Sequence, residues 1–271
     1  MTTATFGIKV NYIYEWKYVD YIWESNEQKE DAIKSGTYNR SACTLLDADK
    51  AKDGRIFVTV TKELGFGAPA TLTTVTNETG PGGPLLRPYP NWSWHNSDHM
   101  CDGMVNVLRV NVFMGDVQGK GLIVYDSSVK NLYYVTTPGT KIYKMKIKSL
   151  LKCPNIEEAN KKTKIAIKIP SDSGQIASAG HSIFYSDSDG NAILGTNVFQ
   201  KSGKNTVILA QDDKKLQAIS SLKTSYYWNK LIGLSDRYHR YVLGTVNLNE
   251  VNIRYFEMDL AKIQKKMDLI P

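Results

Sequence analysis

Few residue groupings in this chain could do chemistry, and each has a plainer reading beside it. The best defined lies within Gly180–Phe199, where Ser182, Thr196, Asn197 and Phe199 stand on the two sides of a stretch that reads as strand, turn, strand. Small hydroxyls, an amide and an aromatic ring together suit a small aromatic ligand, because the ring packs against it and the polar groups fix its orientation. The same residues also suit a core Phe199 and an Asn197 capping a strand end, and composition alone favours that plainer reading. His95-x3-His99-x-Cys101, flanked by Asp98 and Asp102, carries metal-binding side chains at no standard zinc spacing, so an ordinary loop is expected, with no metal. Asp187-Ser188-Asp189-Gly190-Asn191 begins like a calcium loop, yet Val198 and Phe199 stand where the closing glutamate belongs. A hairpin turn is expected there.

Signals for catalysis are weak. No serine occupies a nucleophile elbow, no glycine-rich phosphate loop precedes a helix, and His95, His99, His181 and His239 are not grouped with a nucleophile. Carboxylates are plentiful, but none stands out as one of a glycosidase pair. Binding without turnover is the expectation, with no catalytic residue and no cofactor. The formal net charge of +7 could serve nucleic acid, anionic membrane or acidic glycans. The lysines are scattered along the sequence, however, and their densest run, Lys161-Lys162-Thr163-Lys164, is short. A solvated basic loop is therefore expected rather than a nucleic-acid footprint. No apolar run approaches the roughly 18–20 residues that span a bilayer, and no membrane partner is expected.

Three cysteines, Cys43, Cys101 and Cys153, lie far apart, and an odd number leaves one unpaired within a monomer. The start of the chain lacks a charged segment followed by an apolar one, which reads as a mature or leaderless chain. Sequons at Asn39, Asn77 and Asn91 permit glycosylation.

The elements that must position these residues are mostly strands. Ile183-Phe184-Tyr185 and Ala192 to Leu194 flank Asp189-Gly190-Asn191, a turn whose Gly and Asn tolerate positive φ, so a β-hairpin is expected. Strands are also expected at Ile8–Trp16, Arg55–Val60, Ala70–Val75, Met104–Phe113, Gly121–Tyr125, Asn131–Val135, Lys141–Met145, Lys164–Ile169, Thr206–Ala210, Tyr241–Thr245 and Asn252–Met258. Residues 77–90, centred on Gly80-Pro81-Gly82-Gly83-Pro84, read as a long surface loop. Helices are expected only at 25–34, where Ser25 is placed as an N-cap, and at 260–267. About fifteen short strands, a recurrent turn-then-aromatic-strand phrase and no dividing linker point to one all-β domain over 1–271, with propeller-like repetition.

Several of these phrases also carry a family likeness. Asp53-Gly54-Arg55-Ile56-Phe57-Val58-Thr59-Val60, Gly67-Ala68-Pro69-Ala70-Thr71-Leu72 and Pro88-Tyr89-Pro90-Asn91-Trp92 resemble the N-terminal signature of the yellow/major royal jelly protein family. Tyr14 to Asp20, Cys101 with Val105 to Val112, Lys120 to Tyr125 and Asn252 to Phe256 resemble further family segments, nearest in flavour to the salivary yellow-related proteins of blood-feeding sand flies. The resemblance implies a six-bladed β-propeller, secretion, and a monomer that binds biogenic amines such as serotonin, histamine and catecholamines, with Ser182, Asn197 and Phe199 at the pocket. Other branches of the family imply the alternatives, a melanin-pathway enzyme acting on dopachrome-like substrates or a structural or nutritive glycoprotein. Relative to the family pattern the chain is short after Phe113-Met114-Gly115 and again between Ser128 and Lys130. About four blades' worth of strands is therefore expected.

Overall fold

The computed structural model describes residues 4–5, 7–61, 64, 67–95, 121–126, 131–136, 139–152, 155–171, 175–198 and 205–268. Strand accounts for 46% and helix for 18% of that structure, so the expected all-β fold is borne out as a mostly-β one. The strands are β1 (Ala4–Thr5), β2 (Asn11–Trp16), β3 (Leu45–Lys50), β4 (Ile56–Val60), β5 (Leu72–Gly80) and β6 (Gly83–Pro88). They continue with β7 (Gly121–Asp126), β8 (Asn131–Thr136), β9 (Lys141–Lys146), β10 (Lys164–Lys168), β11 (Ile176–Ala179) and β12 (Ser182–Asp187). The last are β13 (Ala192–Asn197), β14 (Thr206–Gln211), β15 (Ala218–Ser225), β16 (Lys230–Asp236) and β17 (Ile253–Asp259). They form four sheets, mostly antiparallel meanders in which sequential strands are neighbours, the repeating unit of a propeller blade.

The chain divides into two compact units: Met1–Lys9, Val105–Leu231 and Met258–Pro271 make the first, and Val10–Met104 with Ile232–Glu257 make the second. The first unit holds the meander β7 to β10 and the meander β11 to β14, the latter extended by β1 lying parallel to β14. Its core gathers Tyr133, Val135 and Ile142 with Ile176, Ile183, Tyr185 and Leu194. Alternation builds this core: Ile183 and Tyr185 are two apart on β12, so they fall on one face.

In the second unit, β3 to β6 form one meander, and β16, β17 and β2 run side by side in that order. Here β2, from early in the chain, pairs antiparallel with β17 from late in it, Trp16 opposite Ile253 and Tyr14 opposite Tyr255. The core is aromatic, with Trp16, Tyr21, Tyr38, Trp92 and Tyr255 buried. Asp20 is held among those rings, accepting from Lys29 Nζ at 2.7 Å, Trp23 Nε1 at 2.9 Å and the Tyr21 N–H at 2.8 Å. Burial alone would raise this carboxyl, but the three bonds together hold it below its ordinary value.

Three expectations are corrected. Residues 77–90 are not a loop: β5 runs on through Gly80, turns at Pro81–Gly82, and returns as β6. The glycines there are spatial necessities, since a Cβ on Gly82 would meet the Tyr18 ring at 2.6 Å and one on Gly83 would meet the Glu15 carbonyl at 2.6 Å. Pro84 and Pro88 are tolerated because β6 is an edge strand, and the Pro84 carbonyl accepts from Trp16 Nε1 at 2.7 Å. Second, Tyr238–Val242 is a short helix where a strand was expected at Tyr241–Thr245. Tyr241 is buried from that helix, which closes at Leu243 before Gly244 with φ +64°. Third, helix is not confined to the two expected segments: Ile147–Leu150 and Ile156–Lys162 join β9 to β10. The expected strand at Met104–Phe113 lies outside the described residues.

Candidate functional site

The hairpin of β12 and β13 forms as the sequence implies. Six consecutive pairs run from Ser182 opposite Asn197 to Asp187 opposite Ala192 without a register shift. The turn between them is tied down by Asp187, whose Oδ1 accepts from Ser171 Oγ at 2.6 Å and from the Gly190 N–H at 3.2 Å. A Cβ on Gly190 would meet Asp187 Oδ2 at 2.5 Å and push aside the carboxylate that closes the turn, and Asn191 supplies φ +47°. The carboxylate thus closes a turn. Among the described residues no group of His, Cys, Asp and Glu could hold a metal ion, and His99 and Cys101 lie outside them.

At the open end of the hairpin, Ser182 and Asn197 face each other as the last pair, both buried. Asn197 is clamped through its backbone, its N–H donating to the Asn205 carbonyl at 3.1 Å and its carbonyl accepting from Asn205 Nδ2 at 2.7 Å. Gly195, two residues along, lies on the same face as Asn197. A Cβ there would meet Met267 Sδ at 3.0 Å and Leu209 Cδ1 at 3.2 Å, and one on Gly180 would meet Gln264 Nε2 at 3.4 Å. The helix Leu260–Asp268 therefore lies against the face that carries Ser182 and Asn197. Sequence reasoning missed Gln264 and Met267 as neighbours of the hairpin, because nothing local links them to residues some 70–80 positions earlier.

Thr196 points the other way. It pairs with Ile183, and its hydroxyl bonds Tyr185 Oη at 2.9 Å and Thr206 Oγ1 at 2.7 Å on the core face. Burial raises the Tyr185 phenol, and the two threonine hydroxyls only partly offset it, so this is a neutral hydrogen-bonded chain inside the sheet. Of the four expected residues the structure thus brings two together, sets Thr196 on the opposite face, and Phe199 lies outside the described residues. The sequons Asn39, Asn77 and Asn91 are all exposed. Asn39 Oδ1 accepts from the Ser41 N–H and Asn91 Oδ1 from the Trp94 N–H.

The hairpin, its turn and the facing helix all fall within one family match. The model of the family described as "Major royal jelly protein" matches residues 127–269, more than half of the chain. The chain belongs to the major royal jelly protein family. Its relatives include major royal jelly protein 8 of Apis mellifera, 28% identical over 265 residues that cover 90% of this chain and 60% of that protein. Major royal jelly protein 9 of the same organism is 36% identical over 139 residues, covering 51% of this chain and 31% of that protein. The chain therefore spans less than two thirds of the length of these relatives. Among solved structures it has likenesses to a luciferin-regenerating enzyme, at TM-score 0.35 and 11% identity over 85% of this chain and 64% of that one, and to the Myceliophteria thermophila Cps50 (Swd1) β-propeller domain, at TM-score 0.31 and 8% identity over 89% and 58%. No helix among the described residues is long and apolar enough to cross a membrane.

Proposed function

We propose that this chain is a secreted, yellow-related binding protein of the salivary type, which sequesters biogenic amines (serotonin, histamine or catecholamines) without turning them over. The observation that carries the reading is the pairing of Ser182 with Asn197 at the open end of the β12–β13 hairpin, beneath the 260–268 helix. A hydroxyl and a carboxamide side by side can accept from an ammonium and from an indole or phenol donor. Phe199, two residues beyond Asn197, adds an aromatic face for cation–π contact. Thr196 leaves the proposed contact set, because its hydroxyl is committed to Tyr185 and Thr206. The shortened stretches near 113–121 and 126–131 belong to the same reading, and sequencing the transcript tests them.

Calorimetric titration with serotonin is the direct test. Asn197→Ala should weaken binding about tenfold, the worth of one well-made buried hydrogen bond, whereas Thr196→Val should leave affinity unchanged within about twofold. A folded wild-type sample that gives no heat at high micromolar serotonin would sink the proposal. Such a result, with glycan on Asn39, Asn77 or Asn91 by mass spectrometry, would favour the structural or nutritive alternative. Catalytic turnover of dopachrome would favour the enzymatic one.

A further inference from the structure

Contrary to the expectation of scattered lysines, one stretch is enriched in them, and the fold sets its two ends side by side. Between Lys141 and Lys168 the chain holds nine lysines and two glutamates, with no arginine or aspartate. The remainder carries 25 basic and 25 acidic residues, so this one stretch accounts for the whole net charge of +7. It folds as β9, the helices Ile147–Leu150 and Ile156–Lys162, and β10, which is the edge strand of its sheet. Eight of the nine lysines are exposed and Lys144 is half-buried.

The ladder then sets like charges against each other. Lys164 stands directly opposite Lys144, and Lys168 directly opposite Lys141. Directly opposed like charges destabilise a strand pair. Protection of a sheet edge against aggregation needs lysines on it, but does not need them opposite other lysines. No ion pair joins these four lysines to a carboxylate among the described residues. The two pairs also fall on opposite faces: Lys144 shares a face with Ile142, and Lys141 shares the other with Tyr143. Positive charge therefore wraps around an edge instead of lying in one plane.

We propose that this edge is a binding site for a flexible polyanion, an acidic polysaccharide carrying sulfate or carboxylate groups. A polymer chain can follow charge round an edge, whereas a flat bilayer meets only one face at a time. Lysines act here as point charges that need no fixed acceptor geometry, and the stretch lacks the arginine forks that read nucleic-acid bases and phosphates. The site shares no residue with the Ser182–Asn197 pair proposed to hold an amine, and does not depend on an amine being bound there.

Heparin affinity measured across a sodium chloride series tests the proposal on the full chain. Lys141, Lys144, Lys164 and Lys168 changed together to Gln should lower affinity at least about tenfold near physiological salt and flatten its salt dependence. The control changes Lys52, Lys214, Lys262 and Lys265 to Gln, which are exposed, lie elsewhere, and remove the same charge; it should stay within about twofold of wild type. Equal losses in the two variants would overturn the proposal in favour of a net-charge effect. So would wild-type affinity in the first variant, with folding of each checked by circular dichroism. Tighter binding to vesicles rich in phosphatidylserine, not displaced by heparin, would overturn it in favour of a membrane site.

Discussion

At the scale of single residues, two neighbours in sequence have opposite duties. Asn197 closes the ladder against Ser182, and Thr196 sits one position earlier on the core face. The reason is the two-residue period of a strand, which sends adjacent side chains to opposite sides. Thr196→Val should therefore destabilise the protein by about 1–2 kcal/mol through the lost Tyr185 and Thr206 bonds, measured by urea denaturation, while amine binding is spared. Asp20 provides a pH test. Its folded carboxyl titrates below the unfolded value of about 3.9, so its contribution is present above that pH and is lost as pH falls through the folded value. Asp20→Asn should cost about 2 kcal/mol at pH 7, and the gap from wild type should close as thermal melts are taken below about pH 4. A gap unchanged down to pH 2 would count against this account. Cys43 is a buried thiol that donates to the Gly67 carbonyl, and burial pushes it up to about 12. In a chain with Cys101 and Cys153 changed to Ser, it should resist thiol reagents until the protein unfolds.

At the scale of elements, glycine placement decides where the chain can turn. Gly83 sits at φ +127° with no room for a side chain beside Glu15 and Trp16. Gly83→Ala should cost about 1–3 kcal/mol or more, read as a lowered urea midpoint with unchanged m-value. The same hairpin shows what the sequence concealed. Gly80 to Pro84 carries turn chemistry in every letter, and only the edge position of β6 lets two prolines stand in a strand. By contrast the β12–β13 hairpin was legible, since an Ile-Phe-Tyr run, an Asp-Gly-Asn turn and a second apolar run agree with one another. Its closing pair, Ser182 with Asn197, follows from that register, so the juxtaposition of two of the four expected residues could be read directly. β3 was missed because the alternation of Leu46-Asp47-Ala48-Asp49 is short and uses residues depleted in strands; Asp47 and Asp49 are nonetheless buried there. Tyr241–Thr245 looked like a strand from its β-branched and aromatic residues, but packing of Tyr241 from a helical turn overrode that local preference.

At the scale of the whole molecule, the second unit depends on residues from both ends of the chain. β2 and β17 are partners, reinforced by Arg254 Nε donating to Glu15 Oε1 at 3.0 Å and by Asn252 Nδ2 donating to the Lys17 carbonyl at 2.7 Å. A chain beginning at Lys17 should lose the cooperative melt of this unit, and a peptide spanning residues 9–17 added in trans should restore part of it. An unchanged melt would show that the pairing is dispensable. The same pairing also imposes a timetable on biosynthesis. Trp16 is made roughly 240 residues before its partner Ile253, which at about 5–20 residues per second is a delay on the order of ten to fifty seconds. Through that interval the nascent Asn11–Trp16 segment, rich in tyrosine and tryptophan, has no strand to lie against on its β17 side. A chaperone that shields extended aromatic segments during synthesis should therefore raise the folded yield of this protein.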